Sequence, residues 1–429
     1  LHSAAVGTAE NAQLNRQKRG YIKMKCLRTT WIVQVGVLLV MTSLVGAVQA
    51  GVRIDVDDAK WLTVGAGIRG SVVGIEDQSP GGDDWSKSAR LDNASLFLNG
   101  QINPHLKLAV NIWCVFCGNS GAGGGTEEFI VSDAIVKFEL SPHLNFWAGR
   151  LLVPADRAEM SGVFYSNTYD FNKTPFYAAD FSVDFGEGGA GVYGRDQGAV
   201  VWGTLPQVDR LQYALGIFNG FESTPSGGPD RDDNFLYAMR LAYNFLEIEQ
   251  NPGYLTSSTY YGAAGDIFTI GLAVQNEKDG AGSMSNPGDF LGLSADVLFE
   301  KVLEGNQVLT IEGEYKTFNA DYDAAAFTDA DCFCMFDGDA WTATALYLFS
   351  EKVGIGRLQP YVRYTKNKPD ESPSREEKEL GLNYIIDGHN AKVALFAQRG
   401  DIATKGLNFS PTASGKEVTA IKLGVQAQF

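Results

Sequence analysis

From Gly51 to the final carboxylate, residues alternate between apolar and polar or small with a period of two. In Leu62–Ser71, the side chains Leu62, Val64, Ala66 and Ile68 share one face, while Thr63, Gly65, Gly67, Arg69 and Ser71 share the other. Leu106, Leu108, Val110 and Ile112 oppose Lys107, Ala109, Asn111 and Trp113, and Leu380, Leu382, Tyr384 and Ile386 oppose Glu379, Gly381, Asn383 and Ile385. A helix repeats its apolar face every 3.6 residues; this pattern is that of β-strands with two unlike faces. A mean hydropathy of −0.10 leaves no room for a bundle of apolar membrane helices. With 45% hydrophobic and 11% aromatic residues, the chain is not disordered either.

The N-terminus reads as an export signal preceded by an extension. Met24 opens a segment with Lys25 and Arg28, then an apolar stretch whose most continuous part is Val35–Val48, then Val48-Gln49-Ala50 with small residues at the cleavage positions. That is the layout of a secretory signal over 24–50. Residues 1–23 read as upstream extension or tag. The exported part is then 51–429, in which no run is long and apolar enough for a transmembrane helix. Such a chain stays soluble or crosses a membrane as a closed barrel.

Sixteen candidate strands follow from the alternation: 61–76, 89–102, 106–116, 129–141, 144–155, 190–205, 210–221, 234–248, 267–278, 289–302, 307–320, 340–353, 357–367, 378–387, 391–400 and 417–429. Fourteen or eighteen would also fit. Short breaks such as Asn103-Pro104-His105 and Ser141-Pro142-His143 alternate with longer polar stretches: 76–87, 118–128, 160–188, 222–233, 277–288, 321–339, 368–377 and 401–416. Short turns at one rim and long loops at the other describe an all-β, antiparallel outer-membrane barrel with periplasmic turns and outer loops. The 251–265 connection is too long for the short-turn rim and is where this count is weakest. The last strand ends on Phe429, with residues 421, 423, 425 and 427 apolar or small; a terminal aromatic resembles the signal by which barrel-assembly machinery recognises its clients.

Alternation also sorts charges by face. Inward positions hold Arg69, Lys107, Lys137, Arg240, Lys316, Arg363, Lys392 and Lys422, against Asp133, Glu139, Asp296, Glu312, Glu314 and Glu379. Rings of charge like these set ionic preference in a water-filled lumen, or brace the wall by cross-strand pairing. Residues 51–429 carry 29 basic and 50 acidic side chains, so nucleic acid is not an expected partner and cations would gather at the mouth. Cys114, Cys117, Cys332 and Cys334 lie near the long-loop rim; in an oxidising compartment disulfides are favoured over a four-thiolate metal site, with the pairing open. Asp321, Asp323, Asp329, Asp331, Asp337 and Asp339 make one outer loop acidic without EF-hand spacing. His105, His143 and His389 fall in separate short turns, and no nucleophile elbow, zincin helix or phosphate loop occurs. Neither enzymatic activity, a cofactor nor a metal is expected.

Several segments, in order, resemble the phosphate-selective porin O/P family: Trp147-Ala148-Gly149-Arg150, Gly194-Arg195-Asp196-Gln197-Gly198, Tyr213-Ala214-Leu215-Gly216-Ile217-Phe218-Asn219-Gly220, Leu358-Gln359-Pro360-Tyr361-Val362-Arg363-Tyr364, and Gly381-Leu382-Asn383-Tyr384 followed by Gly388-His389-Asn390-Ala391-Lys392. The resemblance implies a sixteen-stranded porin, usually a homotrimer, in outer-membrane lipid and lipopolysaccharide. It also implies an inward-folded constriction loop, for which 160–188 is the candidate, with Asp170, Asp180, Asp184 and Glu187 against Lys173. The family's anion-selective members carry inward arginines on the second strand; here those positions are Asn93, Ser95, Phe97 and Asn99. The expectation is a porin for small hydrophilic solutes or ions with weak cation preference or none. Its alternatives are an anion- or phosphate-selective porin and the sleeve of a larger outer-membrane complex.

Overall fold

The computed structural model describes residues 51–115, 128–171, 173–177, 194–249, 255–406 and 409–429. The expected signal segment and its extension lie outside these, as do Cys117, Asp180, Asp184 and Glu187. Sixteen antiparallel strands form a closed sheet: β1 (Trp61–Ile75), β2 (Ser86–Asn103), β3 (Leu106–Val115), β4 (Glu128–Ser141), β5 (Leu144–Leu152), β6 (Arg195–Leu205), β7 (Val208–Phe218), β8 (Leu236–Asn244), β9 (Ile267–Gly282), β10 (Pro287–Val302), β11 (Val308–Asn319), β12 (Gly338–Leu348), β13 (Gly356–Pro369), β14 (Arg375–Asp387), β15 (Ala391–Gly400) and β16 (Val418–Gln428). Each corresponds to one expected strand, with shifted ends. Two short pieces, Val52–Asp55 along β1 and Lys352–Val353 beside β13, add pairings without adding wall.

Closure is made by β16 on β1, where Gln426 lies opposite Arg69 and Gly424 opposite Ser71. Phe429 extends this seam: its N–H donates to Ala66 O at 3.0 Å, and its carbonyl accepts from Ala66 N at 3.1 Å. A closed sheet leaves no edge of unpaired backbone groups, which a hydrocarbon environment requires.

The two faces are sorted in the opposite sense to a soluble β-sandwich. Leu380 is 64% exposed whereas its neighbour Glu379 is 3% exposed, and the same inversion holds at Val362 against Arg363 and Leu395 against Gln398. Charge therefore lies inside and aliphatic surface outside, the polarity of a membrane barrel. Near the short-turn rim, Phe245 just past the end of β8, Phe268 of β9 and Phe299 of β10 contact in sequence, with centroids at 4.9 and 6.2 Å, as in an interfacial aromatic girdle.

Two connections differ from expectation. The polar stretch 277–288 is not a long loop: β9 continues to Gly282, β10 starts at Pro287, and Ser283 and Asn286 exchange backbone hydrogen bonds across the turn. Polar outer positions at the ends of two long strands look like loop in a one-dimensional reading. The long 255–265 connection does belong to the short-turn rim, and it folds into the barrel. Ser257, Ser258 and Thr259 are buried there, and Thr259 Oγ1, Tyr260 N and Gly262 N all donate to Glu300 of β10.

Candidate pore and constriction

The chain leaves the wall at Leu152 and returns at Arg195, with Val153 N donating to Gly194 O at 2.6 Å where the excursion closes. Its described parts, 153–171 and 173–177, run inside the barrel and begin before the expected Met160. Asp156 caps a short helix, α1 (Arg157–Ser161), by accepting from Glu159 N at 3.2 Å. Gly162, at φ 71°, ends it in a conformation that side chains resist and turns the chain toward Val163 and Phe164. Those two pack with Trp113, Phe171, Phe176 and Phe97 in an apolar cluster.

Six of the eight inward cations hold this segment. Lys316 sits between Asp156 at 2.8 Å and Glu159 at 2.9 Å, and also donates to Pro175 O. Arg240 donates to Ala155 O at 2.8 Å and pairs with Asp296, which in turn accepts from Arg157 N. Arg363 donates to Thr168 Oγ1 and Asp170 O, both at 2.8 Å, and pairs with Glu379. Lys392 donates to Ser166 O, Arg69 to Tyr169 O, and Lys422 pairs with Asp170 at 2.8 Å. From the segment's side, Lys173 pairs with Glu377 at 2.6 Å, Asn167 donates to Glu312, and Thr174 donates to Glu314. Burial works to raise the Asp170 carboxyl, but Lys422, with Lys173 and Arg363 near it, outweighs this and brings it down to about 2.

The second inward piece, 255–265, braces the first from the short-turn rim. Thr256 N donates to Met160 O and Ser258 N to Tyr165 O, each at 3.2 Å. Arg157 donates to Ser257 O and forms a bidentate pair with Glu249 at 2.6 and 2.8 Å. His389, in the turn between β14 and β15, lies 3.0 Å from Ser257 Oγ and 2.9 Å from Thr259 O. Asp156, Arg157, Glu159 and Glu249 were not among the expected site residues. For the first three the signal available was the cluster Asp156-Arg157-Ala158-Glu159, which follows Pro154-Ala155 and which no strand face accommodates.

Lys107 and Lys137 do not contact the inward segment in this way. They line the opposite wall, where two adjoining cavities of about 310 and 240 Å³ share Asn99 and Lys137. The larger lies between Val163–Tyr165 and the wall of β2–β6, and includes Trp113, Asp133, Trp147 and Arg195. The smaller reaches Lys107 and Glu139. Asp133 pairs with Arg195 at 3.0 Å and Lys107 with Glu139. The charged side chains around the two cavities are thus three cations and two carboxylates.

Of the cysteines, Cys332 and Cys334 are joined to each other, with Cα atoms 5.1 Å apart. Cys114 is also in a disulfide, its partner outside the described residues. Within the acidic outer loop, Asp329 accepts from Ser285 and Asn286, and Asp331 from Gly228 N and Met284 N, so these carboxylates lace neighbouring loops together.

No family model and no curated protein matches the chain. Among solved structures, OprB of Pseudomonas putida superposes with a TM-score of 0.52 at 10% identity, covering 86% of this chain and 94% of that one. OmpF of Salmonella typhi superposes with a TM-score of 0.50 at 13% identity, covering 88% of this chain and all of that one. At such identities the likeness is one of architecture, and it agrees with the strand count, the closure and the inverted faces: the chain folds as a sixteen-stranded barrel of the outer-membrane porin type.

Proposed function

We propose that the protein is an outer-membrane porin through which small hydrophilic solutes or ions diffuse passively. The observation that carries this reading is the lopsided lumen. An inward segment is clamped by charge to the β8–β16 side, while the β2–β6 side keeps cavities lined by charged and aromatic side chains. A structural barrel or a sleeve for a partner has no need to confine its polar space to one wall. Selectivity on this reading is weak and set at that wall. The acidic groups of the inward segment, Asp156, Glu159 and Asp170, are already paired with Lys316 and Lys422. They therefore project little field into the passage, which weakens the basis for a cation preference in the constriction. The affiliation with the porin O/P family and a homotrimeric assembly remain part of the proposal through the sequence resemblance, and signal-dependent export through the signal-like segment 24–50.

Reconstitution of the exported chain in planar bilayers tests the reading. Stable open steps in KCl support it, and a persistently closed barrel refutes it. Reversal potentials across a KCl gradient then measure selectivity, with values close to zero expected; strong anion selectivity with block by low phosphate would instead support the alternative.

A further inference from the structure

The larger cavity has more apolar surface than a simple aqueous passage requires. Phe164 of the inward segment meets Phe97 of β2 edge-to-face at 5.8 Å, and Trp113 and Trp147 complete the wall. Both tryptophan faces carry a cation. Arg195 lies 4.4 Å from the Trp113 ring centre and Lys137 lies 4.2 Å from that of Trp147. Arg195 is neutralised by Asp133, and the other nearby carboxylate, Glu139, pairs with Lys107. Lys137 makes no ion pair with a described residue; its ammonium is held over an aromatic face and lines both cavities. A half-buried cation of this kind has given up hydration while the carboxylates nearest it, Asp133 and Glu139, are held by Arg195 and Lys107, so a ligand carboxylate would complete it. The cavity's about 310 Å³ is at the lower end of the range of small-molecule sites.

We propose that this cavity is a subsite for small organic anions with a flat apolar body: Lys137 pairs the anionic group, and Phe97, Trp113 and Phe164 flank the body. The inference rests on the porin reading and names the class of solute that the passage retains longest. Anionic charge alone would be drawn to Lys137 in water-filled space, and an apolar body alone would be held by the rings. The arrangement favours both in one molecule, because the ammonium and the ring edges border the same space.

Single-channel recording in KCl tests this with benzoate as probe, and with acetate and benzamide as its charge-only and ring-only counterparts. Benzoate is expected to reduce the chloride current in a saturating manner at concentrations where acetate and benzamide do not. Lys137→Gln is expected to weaken that block roughly tenfold, the loss of one charge-assisted contact. Lys137→Arg should restore it. Equal block by acetate, or no block of an open channel by benzoate, overturns the proposal while leaving the porin reading intact. A wild-type barrel that never opens overturns both. Because the three probes are compared on the wild-type protein, the proposal stays falsifiable even if Lys137→Gln fails to fold.

Discussion

Lys422 on the last strand and Asp170 on the inward segment meet at 2.8 Å, both almost fully buried, 252 positions apart in the chain. Through this contact the strand that closes the barrel also holds the inward segment against the wall. Gln398 of β15 donates to the same carboxylate at 3.0 Å, and Arg363 of β13 to the neighbouring carbonyl.

Breaking that pair should loosen the constriction without opening the wall. Asp170→Asn leaves the Lys422 ammonium buried without its anion, a change that costs about 3–5 kcal/mol when a buried pair loses one partner. The sixteen-strand ladder does not depend on it. The expected result is a folded, heat-modifiable barrel with larger and noisier single-channel conductance. Unchanged conductance would show that the segment is held by its other contacts alone.

Gly424 faces the ring of Tyr169, and an added Cβ would come within 2.6 Å of it. Gly424→Ala should therefore push the segment off the β16 wall. Overpacking of this kind typically costs about 1–3 kcal/mol. A lower unfolding midpoint in detergent, together with altered conductance, is the expected pair of readouts.

His389 should make the barrel's short-turn rim acid-sensitive. Burial, and then the Lys392 ammonium, hold the imidazole down to about 3. The folded state thus prefers neutral histidine, so its contribution is complete above the ordinary pKa near 6.5. It declines as pH falls from there toward about 3, with a slope of at most about 1.4 kcal/mol per pH unit. Glu249 and Asp170, both down to about 2, add losses in the same direction only below the ordinary carboxylate range. In urea titrations between pH 7 and 5, the difference between wild type and His389→Gln should give the histidine's part of the dependence.

Reduction of the outer-loop disulfide should leave the barrel intact. The Cys332–Cys334 bridge closes a very short loop, and Asp329 and Asp331 anchor the same stretch by hydrogen bonds to 283–286 and Gly228. Heat-modifiable mobility is expected to be equal with and without reductant, while thiol labelling rises only after reduction.

The sequence by itself determined the strands and their faces. Period two is a local property of a pleated backbone, so Arg69, Asp296, Lys316 and Arg363 could be placed inward from their neighbours alone, and all four are inside. Turn-forming residues between strands fixed the alternation of rims for the same reason. What those inward charges do was decided only by tertiary structure. Lys316 clamps Asp156 and Glu159 some 160 positions away, whereas Lys137, inward by the same rule, borders open space. Which side of a closed barrel an inward segment leans on depends on the sum of many contacts between residues far apart in the chain. No period or spacing encodes that sum, and the passage is what remains on the other side.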